Sequence, residues 1–149
     1  MRIKLLAVLL LFGTLNTWAQ SIDYNTKKGY VAKGYDVVAY FDNKAIEGKK
    51  AFTVTYDDVK FKFSSEKNFN IFKSNPKKYI PQYGGYCAYA IAINSKKIDI
   101  NPTTFEIRDE KLYLFYNSWG NNTLNKWGKN NVKGLQKKAD KNWEVIKLE

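Results

Sequence analysis

Two runs of alternating residues around an acidic pair most constrain how this chain can fold. Phe52, Val54 and Tyr56 alternate with Thr53 and Thr55, while Val59, Phe61 and Phe63 alternate with Lys60 and Lys62; Asp57-Asp58 lies between them. Side chains of a strand point to opposite faces in turn, so this period of two buries one face and wets the other. The acidic pair supplies the turn, and the spacing predicts a β-hairpin with one buried face.

A second alternation follows the same logic. Phe105 and Ile107 precede Asp109-Glu110, and Leu112, Leu114 and Tyr116 follow it. This is a second expected hairpin. A first strand is expected over Gly34-Tyr35-Asp36-Val37-Val38-Ala39-Tyr40-Phe41, where a turn runs into β-branched and aromatic residues. Between the hairpins, Ser64 or Ser65 offers an N-cap to a helix carrying Phe69 and Phe72, and Asn75-Pro76 restarts a short helix with proline in its first turn. Pro81 and Gly84-Gly85 end that piece. Periodicity does not decide between helix and buried strand for Tyr86 to Ile93. Val132, Leu135, Ala139 and Trp143 share one face at helical spacing, which predicts a C-terminal helix. The expected class is α+β, a single small domain of two hairpins, intervening short helices and a C-terminal helix.

The first residues carry a different message. Met1-Arg2-Ile3-Lys4 is followed by an apolar run from Leu5 to Phe12 and by small residues at Thr17 and Ala19. That order is the pattern of a secretory leader cut after Ala19. The run is far shorter than the roughly 20 residues a spanning helix needs, so no transmembrane segment is expected once the leader is removed. The expected organisation is a leader over residues 1–19 and one domain over 30–149, exported to a periplasm or secreted.

Charge limits the partners. Twenty-five Lys and Arg against 14 Asp and Glu give +11, and losing Arg2 and Lys4 with the leader leaves +9. Such a surface attracts anionic surfaces by salt-sensitive steering. The basic residues are nevertheless scattered and almost all lysine, with Arg108 the one arginine after the leader. Arginine is the side chain suited to bidentate reading of bases and phosphates, so nucleic acid is not an expected partner.

The chemistry-bearing residues are few. There is no histidine and a single cysteine, Cys87, within Gly84-Gly85-Tyr86-Cys87-Ala88-Tyr89-Ala90. One thiol makes no internal disulfide, and with no histidine an acyl-transfer site lacks its usual base. Cys87 is either a reactive or metal-ligating thiol, acidified by a helix start and nearby lysines, or a small apolar residue packed among tyrosines. No catalytic constellation is recognisable. Tyr83, Tyr86 and Tyr89 gather around Gly84 and Gly85, and a pocket lined by these five residues could take a sugar ring, a peptide or another apolar ligand. The alternative is tyrosines that pack by their rings and leave their hydroxyls wet. The run Asp99 to Glu106 lacks the glycine and spacing of an EF-hand loop.

Several separated blocks resemble exported YHS domain proteins. They are Gly34 to Phe41, Phe61-Lys62-Phe63-Ser64-Ser65-Glu66-Lys67-Asn68, Asn75 to Tyr79, Pro81 to Ala88, Lys111 to Asn117, and Lys138 to Trp143. The resemblance implies a small module related to TRASH-type heavy-metal binders, with copper the first candidate. It also implies cysteine ligands at a strand end and four residues later on a helix. Those positions hold Ser64 and Asn68 here, and hydroxyl and carboxamide groups are poor ligands for Cu(I) or Zn(II). Two expectations follow: a non-enzymatic binding protein that handles metal through Cys87, or a ligand or protein interaction module that keeps the fold without metal.

Overall fold

The computed structural model describes residues 21–149, so the expected leader over residues 1–19 lies outside the described residues. The chain is α+β, and its elements follow one another with short connections. Strands β1 (Thr26–Lys27) and β2 (Tyr30–Val31) form a tight hairpin. Strands β3 (Lys49–Tyr56) and β4 (Val59–Phe63) form the hairpin expected from the alternation. Asp57 and Asp58 both take left-handed backbone, φ 52° and 61°. Two such residues in succession match the right-handed twist of the flanking strands, and short polar side chains tolerate that region best. β2 lies parallel to β4, giving a four-stranded sheet in the order β1-β2-β4-β3.

Helix α1 (Glu66–Ser74) starts at Ser65, whose hydroxyl accepts from the Asn68 backbone N–H at 3.2 Å. It lays Phe72 on the buried face of β4, with ring centroids 4.8 Å from Phe61 and 5.0 Å from Phe63. Helix α2 (Pro76–Tyr79) begins on its proline, and α3 (Ala88–Asn94) resolves the ambiguous apolar segment as helix. Strands β5 (Asn101–Arg108) and β6 (Lys111–Phe115) form the second expected hairpin. A third, tiny hairpin of β7 (Asn117–Ser118) and β8 (Asn121–Asn122) leads into α4 (Thr123–Gly128) and α5 (Val132–Ile146).

β6 divides the core in two. Leu112 and Leu114 face the cluster built on β4 and α1, whereas Tyr113 and Phe115 face a second cluster with Ile91, Trp127, Leu135, Ala139 and Trp143. A strand with alternate residues buried on opposite sides is a continuous apolar run, as β6 is from Leu112 to Phe115. Helix α5 closes the second cluster, and Asn142 donates to the Ile91 and Ala92 carbonyls, near the end of α3. The Ile91 carbonyl also accepts the Ser95 N–H that caps α3, so the Asn142 amide adds a second bond at the helix end and ties α5 to α3.

The expected strand over Gly34 to Phe41 is corrected. Ala32–Gly34 and Ala39–Asp42 are 3-10 turns, and only Tyr35 makes a bridge, to Glu47. The Asp36 carboxylate accepts from the backbone N–H of Val38 and Ala39, which bends the chain where a strand would have continued. The polar lead, Ser21 to Lys28, also packs inward: Tyr24 is buried in the first cluster.

Candidate functional site

A cleft of about 680 Å³ opens where the left-handed turn before α3 meets α5 and the tip of the β3–β4 hairpin. Its volume falls in the range of small-molecule sites. Tyr24, Tyr83 and Trp143 supply aromatic wall, and Ile80 and Pro81 add apolar surface. Carboxylates stand against this surface in fixed positions. The Tyr24 hydroxyl donates to Asp57 Oδ2 at 2.9 Å, and the Tyr83 hydroxyl donates to Asp140 Oδ1 at 2.9 Å.

Burial holds the Tyr83 phenol well above its ordinary pKa, and the neighbouring Asp140 raises it further. Burial does the same for Tyr24, with Asp57 adding to it. Both phenols are therefore neutral donors at physiological pH, and each carboxylate keeps a lone pair for a second donor. Asp57, Asp140 and Glu144 face Lys77 and Lys141 around the cleft, so it carries a carboxylate excess on a protein of net charge +11.

The local backbone explains how Tyr83 is presented. Tyr83, Gly84 and Gly85 are left-handed in succession, φ 54°, 60° and 82°. Gly84 is also sterically required, because a Cβ there would stand 2.5 Å from the Asp23 carbonyl oxygen and 3.0 Å from Trp143 Cη2. The polar lead clasps this turn: Asn25 N–H donates to the Gly84 carbonyl at 2.9 Å, and its side-chain amide to the Gly85 carbonyl at 3.2 Å.

Of the five residues expected to line one pocket, Tyr83 and Gly84 do so. Gly85 is turned away from it, and a Cβ there would meet Pro81, Val31 and Leu114. The Tyr86 hydroxyl donates to Asp23, which also accepts from Lys97. Tyr89 borders a separate depression with Ile93 and Leu135. Residues whose part in the cleft the sequence reading missed are Tyr24, which lay in the polar lead, and Asp140. Asp140 follows Ala139 on α5, and its approach to Tyr83 comes from the packing of α5 against the turn rather than from any local pattern.

Cys87 lies elsewhere. It is fully buried, occupies the N-cap position of α3 rather than its first turn, and places Sγ 3.3 Å from the Thr123 hydroxyl. That hydroxyl in turn donates to the Tyr116 carbonyl. The positions compared above with thiol ligands have another occupant. The Asp36 carboxylate, fully buried, accepts from the Ser64 backbone N–H and hydroxyl and from the Asn68 amide through Oδ2, at 2.7–2.8 Å. With Val38 and Ala39 on Oδ1, five neutral donors hold one acid. Among the described residues no three His, Cys, Asp or Glu side chains gather as a metal site. Neither the Ser64–Asn68 position nor the Cys87 position offers the paired thiolate or imidazole donors that Cu(I) or Zn(II) takes, so the residues present do not fit such an ion.

The chain matches no family model, no curated protein and no solved structure.

No helix among the described residues is long and apolar enough to cross a membrane.

Proposed function

We propose that this protein is an exported, non-enzymatic binding module that takes a small organic ligand in the Tyr24–Tyr83–Trp143 cleft and does not depend on a metal. The observation that carries the reading is a carboxylate excess set on aromatic and apolar wall in a chain that is otherwise strongly basic. A ligand with an apolar body and an ammonium or hydroxyl head meets both demands: the body covers the apolar wall, and the head donates to Asp57 or Asp140. The resemblance to exported YHS proteins supports the export and the fold, while Ser64 and Asn68 are committed to Asp36.

Phenethylamine and tyramine are the probes, read by saturation-transfer NMR on the protein, on an Asp57→Asn/Asp140→Asn variant and on Cys87→Ser. Asparagine keeps an acceptor for each tyrosine hydroxyl and removes the charge. Binding that persists in Cys87→Ser and weakens about tenfold in the double variant, a loss of ~1.4 kcal/mol, is the expected result. Binding that follows the thiol instead overturns the reading.

A further inference from the structure

Trp119 is 98 % exposed, while Trp127 and Trp143 are buried. It occupies the first central position of the β7–β8 turn, at φ 50°, with Gly120 following at φ 73°. Both positions need left-handed backbone, which asparagine or glycine adopts with least strain and a bulky aromatic adopts poorly. The indole therefore contributes little packing and sits on unfavourable backbone. Strain kept without structural return is a pointer to a contact made outside the folded chain.

The surroundings of the turn say what kind of contact. β7 contributes Asn117 and Ser118 to a second cleft of about 620 Å³, whose wall also holds Asn101 and Thr103 and the balanced charges of Lys27, Lys33, Glu47 and Asp99, with Lys33 and Asp99 paired at 2.7 Å. Its amides are held in place by bonds to neighbouring protein groups. Asn101 Nδ2 donates to the Asn117 carbonyl at 3.3 Å, Asn117 Nδ2 donates to the Thr104 hydroxyl at 3.1 Å, and Thr103 donates its hydroxyl to Asn101 Oδ1 at 2.8 Å. From Asn117 to Asn125 the chain carries no charge, and Trp119 and Leu124 are its two apolar side chains. A membrane surface asks for apolar neighbours and flanking lysines beside such a tryptophan. An acidic peptide asks for clustered cations. A pyranose asks for what is present: an open aromatic face for its C–H side, and fixed amides and hydroxyls that both donate and accept for its hydroxyl rim.

We infer that Trp119 and the Asn101–Asn117 cleft form a glycan-binding site for a neutral oligosaccharide, one ring stacking on the indole and the next reaching the amides. This site is separate from the Tyr83 cleft and does not rest on the reading given for it.

The test labels the protein with 5-fluorotryptophan and assigns the Trp119 fluorine signal as the one missing from Trp119→Phe. Cellotetraose, chitotetraose and maltotetraose are added to millimolar concentration, and phosphatidylglycerol vesicles form a parallel arm. The inference predicts that at least one tetrasaccharide moves the Trp119 signal. It also predicts about tenfold weaker binding in Trp119→Ala, equal to ~1.4 kcal/mol, and an intermediate loss in Trp119→Phe. The amide spectrum of Trp119→Ala should match wild type, because the side chain packs against nothing. A Trp119 signal unmoved by all three saccharides overturns the inference, as does saccharide affinity unchanged in Trp119→Ala. A signal moved by vesicles alone overturns it in favour of a lipid surface.

Discussion

Asp36 shows how much one side chain organises. Its carboxylate joins the 3-10 turn at Val38 and Ala39 to the end of β4 at Ser64 and the first turn of α1 at Asn68. Hydrogen bonds to an ionised acceptor are stronger than neutral ones, and removing the acceptor leaves buried donors without partners. Asp36→Ala is accordingly expected to lower stability by about 3 kcal/mol or more, read as a lower urea midpoint at unchanged slope. A loss under about 1 kcal/mol would show that water replaces the carboxylate. Sequence did not disclose this role. An aspartate amid β-branched residues resembles a solvated strand residue, and its partners come from 28 and 32 positions further along. The fate of Cys87 was legible only as two alternatives, since burial depends on the distant Thr123 and β6.

At the scale of elements, the alternations around Asp57-Asp58 and Asp109-Glu110 were readable because period two, and a turn that accepts left-handed backbone, are both local. A serine cap at Ser64 or Ser65, which the structure assigns to Ser65, and the buried face of α5 were readable for the same reason. What escaped depends on packing between elements. The short strands β1, β2, β7 and β8 have too few residues to show a period, and α4 takes its start from the Asn122 side chain, which accepts from Leu124 and Asn125 N–H. The turn before α3 is the element on which the cleft depends. Gly84→Ala sets a methyl against the Asp23 carbonyl and the Trp143 ring on left-handed backbone. It should destabilise the protein by about 1–3 kcal/mol. The same substitution should open the Asn25 clasp, seen as faster exchange of the Asn25 amide. Unchanged exchange and stability would mean that the turn has room the geometry denies it.

Across the whole molecule, alkaline pH probes how tightly the tyrosines are held. Tyr24, Tyr40, Tyr83 and Tyr86 are all raised above the ordinary phenol, each chiefly by burial; Asp57, Asp140 and Asp23 add to it for Tyr24, Tyr83 and Tyr86. An unfolded tyrosine ionises near pH ~10. Below that value both states keep the proton and the stability from these groups is complete. As pH rises past it the unfolded chain releases protons that the folded chain retains, so stability falls toward the folded pKa values. Phenolate absorbance should therefore show a reversible group of tyrosines and a second group that ionises only as the fold is lost. A single reversible titration of all 11 tyrosines near the ordinary value, with circular dichroism unchanged, would contradict the packing described. The central claim, that binding lies in the aromatic and carboxylate cleft and not at the buried thiol, meets its most direct test in anaerobic competition for Cu(I). The reduced protein and Cys87→Ser are each set against a colorimetric chelator. The account predicts that the chelator keeps its copper against both; withdrawal of copper by the wild type and not by Cys87→Ser would contradict it.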